Sequence, residues 1–151
     1  MGDRSNVVIE TQLGDDNTSR VYLYSHWSGA SALESVLHGL RSNRVDDPPY
    51  LARIIFEHMI RNDLGRETGF GISGYITDNE HPILVISTGY WGSPATVHFE
   101  DAGGDKIVEP VPYQKFLEAQ SVVDSGQNYS YDHVMHVVWG TELEEDPDED
   151  Y

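Results

Sequence analysis

The chain has 151 residues, of which 38% are hydrophobic and 11% aromatic, enough to fill the core of one ordinary domain. It carries 26 acidic against 9 basic residues, a formal charge of −17, and no cysteine. That composition excludes disulfides, thiolate metal sites and cysteine nucleophiles. It also disfavours direct binding to nucleic acid or to anionic membranes, both of which recruit clustered cations.

The elements follow in order from the first strand. Residues 6–12, rich in β-branched side chains, predict a strand, and Gly14-Asp15-Asp16-Asn17 a turn. Residues 20–27 predict the second half of a hairpin. There Val21, Leu23 and Ser25 face one side, and Tyr22, Tyr24 and His26 the other. Leu33, Val36, Leu37 and Leu40 recur at helical spacing behind a Ser31-x-x-Glu34 capping box, with Gly39 weakening that helix. Asp47-Pro48-Pro49 opens a second helix over 48–62, with Leu51, Ile54, Ile55 and Met59 on its apolar face.

From Gly69 the period changes to two. Phe70, Ile72, Gly74 and Ile76 share a face, and residues 77–81 read as a tight connection. The run Ile83-Leu84-Val85-Ile86 predicts a strand buried on both faces; no apolar run approaches the roughly 20 residues of a membrane span. Residues 95–100 predict another strand with Val97 and Phe99 inward. Gly103-Gly104 turns the chain so that 106–111 pairs back, and 112–120 reads as a short helix. Residues 132–139 are ambiguous, with Val134, Val137 and Val138 favouring a strand. Residues 141–151 hold seven acids and no base and read as a flexible tail. The pattern predicts an α+β fold in one domain over 1–140. Its sheet is mostly antiparallel, with about five to six strands and two to three helices on one face.

The charge has three readings. In molar salt the Debye length is about 3 Å, so self-repulsion costs little and hydrated carboxylates aid solubility. With lysine only at Lys106 and Lys115, the composition resembles proteins of salt-in halophiles and their viruses. The alternatives are a nucleic-acid mimic and an ordinary acidic protein.

Few residue patterns carry chemistry. His133 and His136 would share a face on a helix but not on a strand, so a metal site there requires the helix. His38, His58 and His98 read as structural positions on solvated or partly buried surfaces. Asp15-x-Asn17-x-Ser19 lacks the glycine and closing glutamate of a calcium loop. Gly69-Phe70-Gly71-Ile72-Ser73-Gly74 lacks the spacing of a nucleotide loop, and its glycines read as sites of close backbone approach. Two segments are candidates for binding. Tyr24, His26 and Trp27 put a phenol, an imidazole and an indole at a strand end, and aromatic side chains of this kind dominate interface hot spots. Asp78, Asn79, Glu80 and His81 put two carboxylates, an amide and an imidazole in four residues.

The segments Ser25-His26-Trp27-Ser28-Gly29, Tyr50 to Phe56, Thr68 to Ser73 and Asp78 to Val85 together resemble an uncharacterised family of small proteins. That family occurs in phages, archaeal viruses, and actinobacterial and haloarchaeal genomes. The resemblance covers about residues 20–90, and its members usually carry glycine where this chain has Ser28. It implies a viral or mobile-element origin and no particular activity. The expectation is therefore a non-enzymatic accessory protein that binds a host protein or small ligand in the cytoplasm. No catalytic residue, metal ligand or cofactor is assigned. A virion component and a metal-assisted hydrolase are the alternatives.

Overall fold

A computed structural model describes residues 3–29, 31–88, 94–125 and 131–143. Strand β1 (Ser5–Gly14) and strand β2 (Asn17–Ser25) form the expected antiparallel hairpin, with Asp16 at φ 57° in its turn. The chain then leaves the sheet for helices α1 (Ala32–Leu40) and α2 (Pro48–Met59). They pack closely because α1 carries Gly39: a Cβ there would collide with Cγ1 of Ile55. The glycine that weakens the helix in isolation is what lets the two helices meet.

Strand β3 (Phe70–Ser73) adds to the outer side of β2, and strand β4 (Ile83–Thr88) to the far side of β1, in parallel. Strands β5 (Thr96–Glu100) and β6 (Val111–Pro112) follow, giving the order β3-β2-β1-β4-β5-β6. The segment between β3 and β4 is thus a crossing over two strands and not a tight connection. Its Ile76 packs on Val8, Ile83 and Val85 of the sheet face opposite the helices. β4, with neighbours on both sides, is buried from Ile83 to Ile86.

The C-terminal helical layer comprises α3 (Tyr113–Phe116), a 3-10 turn (Leu117–Ala119), α4 (Gln120–Asp124) and α5 (Tyr131–Trp139). Residues 132–139, where the valines favour a strand, are helical. Tyr131, Val134, Met135 and Val138 recur at helical spacing on its buried side, and that burial outweighs local propensity. All the helices share one core with Val7, Ile9, Leu23, Leu84, Ile86, Val97 and Phe99, so they cover a single face of the sheet. The result is one α+β domain with a mixed, mostly antiparallel sheet.

Neither predicted helix cap forms. Ser31 Oγ donates instead to the Ser28 carbonyl, Glu34 lies 3.9 Å from Arg61, and Asp47 makes no side-chain cap bond. No helix among the described residues is long and apolar enough to cross a membrane. Most of the acidic tail, from residue 144 onward, lies outside the described residues.

Candidate functional site

The crossing segment brings the two predicted candidate segments to one end of the sheet. Asn6 opens this arrangement: a buried amide near the start of β1, it donates to the Asp78 carbonyl at 3.1 Å and to Asn79 Oδ1 at 3.2 Å. Arg4 reaches Glu80 at 2.9 Å and Asp78 at 3.1 Å, and the Glu80 amide donates to the Arg4 carbonyl. Both carboxylates remain open to solvent, Asp78 more than Glu80, so these pairs fix the loop's path more than they stabilise the fold.

His81 turns inward from the same loop. It pairs with Asp3 and stacks on Tyr131, ring centroids 4.7 Å apart and 8° from parallel. Tyr131 is buried, which pushes its phenol well above the ordinary range, and it donates to the Gly29 carbonyl at 2.7 Å. Gly29 makes this approach possible: a Cβ there would sit 2.7 Å from the Asp3 carbonyl and 2.8 Å from the His81 ring. Asp3 also donates its amide to the His26 carbonyl at 2.8 Å, so one residue links both candidate segments.

On the other segment, Tyr24 Oη and His26 Nδ1 are 2.7 Å apart, and Trp27 stands edge-on to His26 at 4.2 Å. Burial, reinforced by Asp78, raises the Tyr24 phenol. Trp27 is 58% exposed and lies over Gly69, which takes φ 104° where the chain enters β3.

Four large apolar residues lie in or beside β3: Trp27, Leu64, Ile72 and Tyr75, each more than half exposed. They are four of the nine exposed large apolar residues among those described, so the clustering is not an even scatter. β3 has no charge and no proline, and its outer edge pairs with no strand among the described residues. Gly71 and Gly74 have open space where a Cβ would stand and no positive φ, so no neighbour among the described residues requires them to be glycine.

The opposite sheet face holds a second polar cluster. Arg20 bridges from β2 to β5, gripping Glu100 at 2.9 and 2.7 Å and Glu10 at 2.6 Å. His98 Nε2 meets Glu100 at 2.7 Å; His98 is 3% exposed and its Nδ1 has no hydrogen-bond partner among the described residues. His98 is thus fully buried, where the sequence suggested a position at or near the surface. Burial pushes the Glu100 carboxyl up, but hydrogen bonds from Arg20 and His98 outweigh it and hold the group below the ordinary carboxylate range. Bonding to Glu100 likewise raises the Arg20 guanidinium against the effect of burial.

Sequence reasoning reached Tyr24, His26, Trp27 and residues 78–81, but not Asp3, Arg4, Asn6, Tyr131 or the β3 edge. Asn6, a buried amide within an apolar strand, is the one that carried a signal. Among the described residues no three His, Asp or Glu side chains converge as a metal site needs, and His133 and His136 belong to no such set. No protein family, curated protein or solved structure matches this chain.

Proposed function

We propose that this chain is a binding protein that takes an extended segment of another protein against the open edge of β3, with Trp27 as its anchor. The observation that carries the reading is the concentration of exposed apolar side chains around an unprotected edge strand. Edge strands left without lysine, proline or bulge are templates for strand addition. Glycines in such a strand permit another backbone to come close, a role that suits Gly71 in β3 and extends to Gly74 directly after it. Tyr24 and His26 orient the indole, and Arg4, Asn6 and Asp78 to His81 form a polar rim beside it. With −17 on the chain, a second copy is disfavoured by like charge, and a partner segment with basic flanks is favoured. The family resemblance of residues 20–90 supports a viral or mobile-element accessory role in a host cytoplasm.

The test is capture from a host extract followed by identification of the retained protein. Trp27→Ala and Ile72→Lys should each abolish retention of that protein, while Leu13→Ala, an exposed apolar position elsewhere, should preserve it. Retention by both β3-side variants contradicts the proposal. Light scattering in 0.15 M and in multimolar KCl, about the range over which exposed charges become almost fully screened, separates the remaining occupants. A dimer dissociated by Ile72→Lys would assign the edge to a second copy, and a ring would favour a virion component.

A further inference from the structure

The two long helices and the loops beside them differ in charge from the rest of the chain. Arg41, Arg44, Arg53, Arg61 and Arg66 are five of the seven arginines, in a chain of net charge −17. Most are matched: Arg61 faces Glu34 at 3.9 Å, Arg53 faces Glu57 at 3.8 Å, Arg66 faces Asp63 at 3.1 Å, and Arg44 lies over the Tyr50 ring. Arg41 has no ion-pair partner among the described residues. It lines a cavity of about 210 Å³ with Glu34, His38, His58 and Gln120. A second cavity of about 340 Å³, bordered by Ile54, Glu57 and Arg61, shares His38 and His58 with the first.

The two imidazoles are stacked, centroids 4.4 Å apart and 24° from parallel. His58 Nδ1 lies 2.9 Å from Ser35 Oγ and 3.0 Å from an Arg61 guanidinium nitrogen. An arginine can only donate. His58 Nδ1 therefore accepts, and its proton resides on Nε2, the remaining donor of a ring that lines both cavities. Burial, then Arg61 and His38, hold this ring's proton affinity below the ordinary histidine value.

We infer that this paired cavity binds the phosphate group of a small phosphorylated molecule, held by Arg41, His38 and His58. A single arginine satisfies a planar carboxylate. Donors from three residues lining one cavity suit an oxyanion with three or four oxygens. The nearby carboxylates of Glu34 and Glu57 are already matched to Arg61 and Arg53, so of the two arginines lining these cavities Arg41 is the one with no ion-pair partner among the described residues. The larger cavity, with Ile54 on its wall, accommodates the organic body. This site is separate from the β3 edge, and its test does not depend on that reading.

The experiment titrates the full chain with inorganic phosphate at about pH 7, near the histidine range, and constant ionic strength, following histidine ring resonances by NMR. His38 and His58 should shift saturably while His133 and His136 do not. Arg41→Gln, at an exposed position that leaves the fold intact, should weaken binding about tenfold or more, the loss expected for one charge-assisted hydrogen bond. Arg66→Gln, which changes the net charge equally, should leave it unchanged. No saturable shift, an equal effect of the two variants, or an equal affinity for acetate would each overturn the assignment.

Discussion

The two ends of the sheet are finished differently. At one end β6 has only two residues, one of them Pro112. The loop before it folds back through a bridge between Glu100 and Lys106, and Trp139 donates to the Glu109 carbonyl at 2.7 Å. Shortness, proline and a covering loop are the usual ways of blunting an edge. At the other end β3 has no proline and is bordered by exposed apolar side chains. Among the described residues one edge is closed and the other is left open, and on the proposed reading that open edge is the surface for a partner.

The largest expected effect lies in the bridge that ties the strand beside one edge to the strand beside the other. Glu100→Gln removes the bidentate partner of Arg20 and leaves a half-buried guanidinium short of charge. It should cost about 3 kcal/mol, read from denaturant midpoints. A cost below about 1 kcal/mol, the range of an exposed ion pair, would mean that the bridge does not tie the two sides of the sheet together. Gly29→Ala comes next. Its Cβ would collide with the Asp3 carbonyl and the His81 ring, an overpacking that should cost about 2 kcal/mol. It should also loosen the loop beside the open edge, seen as faster amide exchange at residues 78–81.

Much of this contrast is legible along the chain, and the reason for the exceptions is physical. The hairpin, the Asp47-Pro48 helix start and the doubly buried β4 are readable because each is encoded within a short local stretch. The crossing from β3 to β4 is not, because local patterning carries no information on strand order. Local propensity misleads at α5, since Val134, Val137 and Val138 favour strands, whereas Tyr131 and Met135 find their burial only against the assembled core. Of the candidate site, Trp27 and residues 78–81 stand out by composition. Asp3 and Tyr131, which join the site from opposite ends of the chain, carry no local mark.

Acid sharpens the comparison further. Because the Glu100 carboxyl in the folded state is held below its ordinary value, the unfolded chain binds more protons between the two values. The stabilisation is present above the unfolded pKa and is lost as pH falls through the folded one. The wild-type chain should lose stability on acidification below about pH 4.5, near the ordinary carboxylate value, with a steeper slope than Glu100→Gln. Equal slopes would contradict the account. The smallest effect belongs to the open edge. Ile72→Lys, at a side chain 60% exposed, should change stability by no more than about 0.5 kcal/mol. A larger loss would show that the edge serves the fold and not a partner.

The most direct test of the open edge is amide hydrogen exchange on the chain with and without its captured partner. The account predicts strong new protection across residues 70–75 and no change at Val111 or Tyr113, on the closed side around β6 and the start of α3. Protection confined to other elements, with residues 70–75 exchanging as fast as in the free chain, would contradict it.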